Sequence, residues 1–431
     1  MKKGFNNMMK TLMHIRLICF FLFAIFDVSA QGPTSITLEE CYSLATDNYP
    51  LIRQKEILTR IKDFNLENAG KGLLPQVIFN AQATYQSEVT QIPFEFPGLE
   101  ISSLSKDQYK AYVDINQPLT EGRLVRQQKQ LIEAKTVIEE KKLEADLYTL
   151  KERINQVYFG ILLIKEQIKQ VALLKKDIQS GITTTNTAIA NGIALKSSAD
   201  ILKAEFLKSE QRTIELNAGL NGYIQMLELL IHKPLDISTE FQTPSAKSVV
   251  SNISRPELKL FDAQKESFEL QSKMISTRKI PKLGLFLQAG YGKPGFNFLA
   301  NKFDFYYIGG IRFIWPLASL YTSRNDRQLL VQSQDMIEVQ KETFLFNTNL
   351  SLSRQESEIT KYEELIEIDH QIIDLYENTI HSYTAQLENG TITSTEYLTH
   401  VNTVDVARQN LVLHQAQLLL AQYTYNTTSG N

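Results

Sequence analysis

Cysteine is almost missing from this sequence: its 431 residues contain two, Cys19 and Cys41. Cys19 lies in a leader expected to be removed, and the lone thiol left at Cys41 cannot staple a fold, which excludes a disulfide framework. Tryptophan occurs once, as Trp315. Beyond the leader no apolar run approaches the roughly 18 residues of a membrane-spanning helix, so none is expected in the exported chain. Charge of one sign is nowhere concentrated: 45 Lys and Arg against 48 Asp and Glu give a formal net charge of −3, which argues against nucleic acid as a partner. There is no Gly-rich phosphate loop, no Gly-x-Ser-x-Gly elbow and no H-E-x-x-H. Glu367-x-x-His370 has the spacing of a di-iron helix but lacks the matching acids and second copy that such a site needs, and reads as a helix surface. His232, His381, His400 and His414 show no ligand spacing. No enzymatic activity, metal or cofactor is expected.

The first 30 residues read as a signal peptide. Lys2, Lys3, Lys10 and Arg16 precede an apolar core from Leu17 to Phe26, and Val28-Ser29-Ala30 offers a cleavage site with Gln31 as the new terminus. The small residues of a lipid-acceptor site do not precede Cys19. After the leader the chain repeats itself. Pro75 and Tyr85 recur as Pro281 and Tyr291, Pro118-Leu119 as Pro316-Leu317, Arg126 and Gln130 as Arg324 and Gln328, and Leu202 and Arg212 as Leu398 and Arg408. The spacing between equivalents drifts only from 206 residues at the first pair to 196 at the last. A period this long, seen twice, describes a duplicated structural unit. The two halves are residues 31–240 and 241–431.

Each half begins with a helix, from Thr37 to glycines 70 and 72 in the first and from Pro256 to Arg278 in the second, and each helix stops at a proline. The period then changes to two. Val77, Phe79, Ala81, Ala83 and Tyr85 alternate with Asn80, Gln82, Thr84 and Gln86; after a loop at 88–107, Tyr109, Ala111, Val113 and Ile115 alternate with Lys110, Asp114 and Asn116. The second half repeats the hairpin, with a loop at 292–302. Strands are expected at about 76–87, 108–117, 282–292 and 303–315. About ten residues with one oily face and aromatic ends is the pattern of a lipid-facing barrel strand.

A long helix follows each hairpin, at about 123–180 and 324–388. Leu143, Leu147, Leu150, Ile154, Val157, Ile161, Ile164, Ile168 and Val171 form an unbroken heptad seam, the mark of supercoiled packing. A helix over 123–180 is roughly 87 Å long at the usual rise. Ile359, Tyr362, Ile366, Ile373, Tyr376 and Ile380 keep the rhythm in the second copy, where Asp369 intrudes. The chain turns back at Asn191-Gly192 and Asn389-Gly390, pairs that take a positive φ cheaply. Returning helices run over about 197–231 and 394–425, with Asp200 and Glu396 suited to helix starts. Four strands cannot span a bilayer alone, because the outer two would present unpaired backbone groups to hydrocarbon. Copies from other chains must close the sheet: two chains give eight strands, whose lumen side chains largely fill, and three give 12 and leave room for water, which the polar faces with Asn80, Gln82 and Thr84 favour.

The sequence resembles the TolC family of outer-membrane efflux and secretion channels over essentially the whole exported chain. The resemblance rests on Leu74-Pro75-Gln76-Val77, on Gln117-Pro118-Leu119 with Gly122-Arg123, and on the stretch from Asn389 to Leu398. It implies a mainly α fold carrying a membrane β-barrel: a homotrimer with a 12-stranded barrel among outer-membrane lipid and a coiled-coil tunnel in the periplasm. It also implies a tip that opens when a periplasmic adaptor and an inner-membrane transporter of RND or ABC type engage it. Residues 181–200 and 383–398 would form that tip, with Asn191, Gly192, Asp200, Tyr383, Asn389, Gly390 and Glu396 as candidate docking and gating residues. The family's arginine lock after the second reversal is absent, since Thr391-Ile392-Thr393-Ser394 stands there; Tyr383 and Glu396 remain as possible partners. Three copies of Asp200 and of Glu396 could set an ion preference at the tip. The competing reading is a soluble periplasmic coiled-coil adaptor, which has no need of an apolar strand face.

Overall fold

The computed structural model describes residues 35–90, 104–248, 250, 252–297 and 300–431. The expected signal peptide and most of the first hairpin loop lie outside them. In chain order the elements are β1 (Ser35–Ile36), α1 (Leu38–Asn48), a 3-10 turn (Pro50–Arg53), α2 (Gln54–Lys71), β2 (Gln76–Tyr85), β3 (Asp107–Pro118), α3 (Gly122–Tyr148) and α4 (Leu150–Ala190). There follow α5 (Lys196–Ile231), β4 (Glu240–Phe241), α6 (Pro256–Arg278), β5 (Lys282–Lys293), β6 (Asp304–Ile314), α7 (Ala318–Glu388) and α8 (Ser394–Ser429).

Two expected helices are interrupted. The first stops at Tyr49, which is extended at φ −63° and ψ 132° because Pro50 follows it. Apolar spacing runs on through this break, so periodicity alone conceals it. The second interruption lies at Thr149, between α3 and α4. Its backbone stays near helical geometry at φ −63° and ψ −18°, but its hydroxyl donates to Asp146 O at 2.8 Å. A local bond of this kind competes with the helical ladder. The heptad seam continues across it, with Leu143, Leu147, Leu150, Ile154, Val157, Ile161 and Val171 all buried.

The chain forms two compact units, and neither coincides with a sequence half. Among the described residues, one combines Ser35–Asn48 with Arg153–Lys247 and Thr360–Ala421; the other combines segments of Tyr49–Glu152, Ser248–Ile359 and Gln422–Asn431. In the second unit β2, β3, β5 and β6 form one antiparallel sheet in that order. Its register assembles an apolar face from all four strands. Val77, Ile115, Leu287 and Gly309 share one row, Phe79, Val113, Ala289 and Tyr307 the next, and Ala81, Ala111, Tyr291 and Phe305 a third. This face is bare within the chain: Phe79 is 70% exposed, Tyr307 78% and Phe305 83%. The opposite face carries Asn80 Nδ2 donating to Asp114 Oδ2 at 3.3 Å and Arg312 Nη1 donating to Asn116 Oδ1 at 3.0 Å. Among the described residues, the outer edges of β2 and β6 have no strand partner. Helix α3 packs on α2 and α6, and α6 is tied to α7 by Lys265–Glu338 at 2.7 Å and Lys341–Asp262 at 2.9 Å.

The first unit is built on the helices. Asp369, the acid that interrupts the second seam, is buried and meets His414 Nδ1 of α8 at 2.6 Å, so the anomaly is a polar contact between two helices. Glu367 and His370 lie on the exposed face of α7, as a helix-surface assignment requires. Strand β1 pairs in parallel with β4, and the Tyr158 hydroxyl sits between Ile36 O at 2.9 Å and Gln242 O at 2.8 Å. Cys41 of α1 is fully buried. Burial, reinforced by the neighbouring Glu40, pushes its thiol up to about 12. The thiolate is the reactive form, so native protein is expected to resist iodoacetamide at about pH 8, and to react fully once denatured. Mass spectrometry reads the adduct; rapid labelling of the native protein would contradict the packing of α1.

Candidate functional site at the helical reversals

The two Asn-Gly pairs end α4 and α7 in the same way. Gly192 has φ +74° and Gly390 φ +70°. At the first end Gly192 N donates to Ile189 O at 3.0 Å and Ile193 N to Ala188 O at 2.8 Å; at the second Gly390 N donates to Leu387 O at 3.1 Å and Thr391 N to Gln386 O at 2.9 Å. These paired bonds are Schellman caps, which need a left-handed residue and so favour glycine. Asn389 Nδ2 also donates to Ala385 O at 2.8 Å. A Cβ on Gly390 would stand 3.2 Å from Ile193 Cγ2, so the two reversals are neighbours. Ile193 and Leu195 are left 67% and 74% exposed beside them.

The returning helices begin differently. Thr393 caps α8: its Oγ1 accepts from Glu396 N at 3.2 Å, while Thr393 N donates to Glu396 Oε2 at 2.8 Å. This reciprocal pair is a capping box. The bonds from the Thr393 amide and hydroxyl hold the Glu396 carboxyl below its ordinary range. Asp200 does not share this role. Helix α5 starts at Lys196 after Leu195 and has no acid in its first turn, so Asp200 lies past the free N–H groups that an acid would serve. It is exposed. Sequence equivalence of the two acids therefore does not extend to their structural roles.

Behind the reversals α4, α5, α7 and α8 share one core, with Ile178, Ile182, Leu202, Leu387, Tyr397 and Val401 buried in it. Tyr383 packs on its edge and stacks on His400, with ring centroids 3.4 Å apart and 16° between planes. Thr185 and Ser394 hydroxyls meet at 3.2 Å. Farther along the same helices lies a charged cluster that motif reading missed. Arg408 of α8 reaches Asp177 of α4 at 3.4 Å and Glu377 of α7 at 2.8 Å. Arg212 of α5 reaches Asp405 of α8 at 3.4 Å and donates to Gln409 Oε1 at 2.7 Å. Burial raises the Asp405 carboxyl despite its bond from Gln409 and the two nearby arginines. Both arginines were visible as repeat landmarks; their partners, on other helices, were not. The seven candidate residues thus lie around the two reversals, but the ionic contacts lie farther along the helices. Among the described residues no group of His, Cys, Asp and Glu could hold a metal ion.

The described residues, with a four-stranded sheet and long helices, share their fold with solved outer-membrane channel chains. The outer-membrane channel OprN superposes with a TM-score of 0.65 at 12% identity, covering 91% of this chain and 89% of that one. CusC, whose structures concern folding and transmembrane channel formation, gives 0.66 at 12% identity over 91% of both chains. The CmeC outer membrane channel of Campylobacter jejuni gives 0.62 at 12%, covering 94% of this chain and 90% of that one. The mainly helical chain with a four-stranded sheet that the resemblance to the TolC family implies is therefore the one observed. No protein-family model and no curated protein matches the sequence.

The capping box yields a directional expectation. Because the Glu396 carboxyl is lowered in the folded state, the contribution of the cap is complete above the unfolded carboxylate range and is lost as pH falls through the folded value. At neutral pH, Thr393→Ala is expected to cost about 1 kcal/mol locally and to speed amide exchange in the first turn of α8 about fivefold. Exchange mass spectrometry reads this directly, and unchanged protection would remove the cap from the account.

Proposed function

We propose that this protein is the outer-membrane exit duct of a tripartite efflux pump or type I secretion system. Three copies close their sheets into a 12-stranded barrel, and their helices continue as a tunnel in the periplasm. The observation that carries the proposal is the sheet itself: one face apolar across four strands, two unpaired edges, on a fold otherwise known in outer-membrane channels. Bare aromatic rows suit lipid, and open edges in lipid demand further strands. A soluble adaptor would gain nothing from such a face. The duct performs no chemistry; an inner-membrane transporter of RND or ABC type supplies the energy and a periplasmic adaptor couples the two.

The reversals form the periplasmic tip in this proposal, and the exposed Ile193 and Leu195 beside Asn191-Gly192 and Asn389-Gly390 offer the adaptor an apolar contact. Tyr383 acts as packing for the closed tip. Asp200, exposed and outside any cap, sets ion preference, whereas Glu396 is already committed to Thr393. With no arginine among Thr391-Ile392-Thr393-Ser394, the closed state is held instead by Arg212 and Arg408, which tie the returning helices to their neighbours.

Purified protein in planar bilayers tests these assignments. Arg408→Ala is expected to shift the closed-to-open balance about tenfold toward open, within the usual range for a coupling of this kind. Asp200→Ala is expected to lower cation preference without changing open probability. A wild-type preparation recovered in the soluble periplasmic fraction, or one that conducts no ions, would overturn the duct proposal; unchanged behaviour in both variants would overturn only the roles of these residues.

A further inference from the structure

Three connections between sheet and helices meet at one end of the second unit: β3 into α3, α6 into β5 and β6 into α7. Between them lies a cleft of about 310 Å³ whose wall is largely apolar, from Leu124, Ile280, Pro281 and Pro316. Arg123, Arg278 and Lys282 also line it, against one acid, Glu121. Lys282 binds Glu121 at 2.7 Å, so that pair cancels. Arg123 and Arg278 are both exposed and have no carboxylate partner among the described residues. The cleft therefore carries two spare guanidinium groups on an oily wall.

The duplication does not repeat these charges. At the duplicated positions Gly72 stands for Arg278, Gln76 for Lys282 and Tyr321 for Arg123. A feature needed only to join strand to helix would be expected at both copies of the joint. Beside the cleft Trp315 is 51% exposed and Leu317 49%, with Trp315 Nε1 donating to Lys279 O at 3.2 Å. Tryptophan with basic side chains, at the end of an apolar sheet, is what headgroup depth selects. Guanidinium groups take phosphate oxygens in a fixed fork.

We infer that this cleft binds the headgroup of an anionic phospholipid, with Arg123 and Arg278 on its phosphodiester oxygens and the apolar wall against the first carbons of the acyl chains. The inference rests on the sheet being a membrane barrel, which sets the cleft at the lipid headgroup level of the leaflet nearest the helices.

The test uses the full-length protein in mild detergent, titrated separately with phosphatidylglycerol, phosphatidylcholine and inorganic phosphate and read by native mass spectrometry. Wild-type protein is expected to retain phosphatidylglycerol in preference to phosphatidylcholine and to ignore inorganic phosphate. Arg123→Gln with Arg278→Gln is expected to weaken phosphatidylglycerol about thirtyfold, the usual loss for two basic groups at a lipid surface. Arg126→Gln, exposed on the same helix but outside the cleft, is expected to leave retention unchanged. Equal retention of the two lipids by the wild-type protein overturns the inference without recourse to any variant. So does equal loss in Arg126→Gln, or displacement of lipid by inorganic phosphate. A protein that sediments with lipid vesicles yet shows no headgroup preference sinks the cleft alone; a protein that binds no vesicle of any composition sinks the membrane barrel itself.

Discussion

Backbone groups at the edges of a sheet need partners, and the structure turns on that need. In water the outer N–H and C=O groups of β2 and β6 could be solvated. In hydrocarbon each would cost several kcal/mol. In the proposed duct the apolar rows that run through Phe79, Val113, Ala289 and Tyr307 face hydrocarbon, and the sheet's edges then require strands from other copies. In that proposal oligomerisation is a consequence of side-chain alternation: the same period of two that makes one face oily would forbid the sheet from standing alone in a bilayer.

The duplication makes such closure simple, because each copy brings two equivalent hairpins and two equivalent helix pairs. Where the halves diverge their side chains make different contacts. Glu396 completes a capping box while Asp200, at the matching sequence position, is exposed and unengaged. Arg408 joins α8 to α4 and α7, whereas Arg212 joins α5 to α8 alone. The strand-to-helix joints diverge as well: Arg278 and Lys282 of the second copy answer to Gly72 and Gln76 of the first, and Arg123 of the first answers to Tyr321 of the second. In the proposed duct, a tube built from near-identical staves would have no preferred place to open or to bind, and these differences would supply one.

Much of this was legible in the sequence because it is written in short-range patterns. Strict alternation gave the four strands, the Asn-Gly pairs gave the two caps, and Thr393-x-x-Glu396 has the spacing of a capping box. The breaks at Tyr49 and Thr149 escaped because apolar spacing continues across both, although Pro50 carried a signal for the first. Asp369 was visible as an irregularity, but its answer, His414, lies on another helix. The same holds for Arg212 and Arg408, whose partners are separated from them by up to 231 residues. The division into two compact units was also out of reach, since each unit draws chain segments from both halves.

The central claim is that the sheet is complete only in a trimer. Light scattering on the full-length protein in a mild detergent, with the mass of bound detergent subtracted, measures this directly. The account requires a particle of three chains, which supplies 12 strands and pairs every edge. A monodisperse single chain with its strands intact would contradict it, because the edges of β2 and β6 would then be open in an apolar surround.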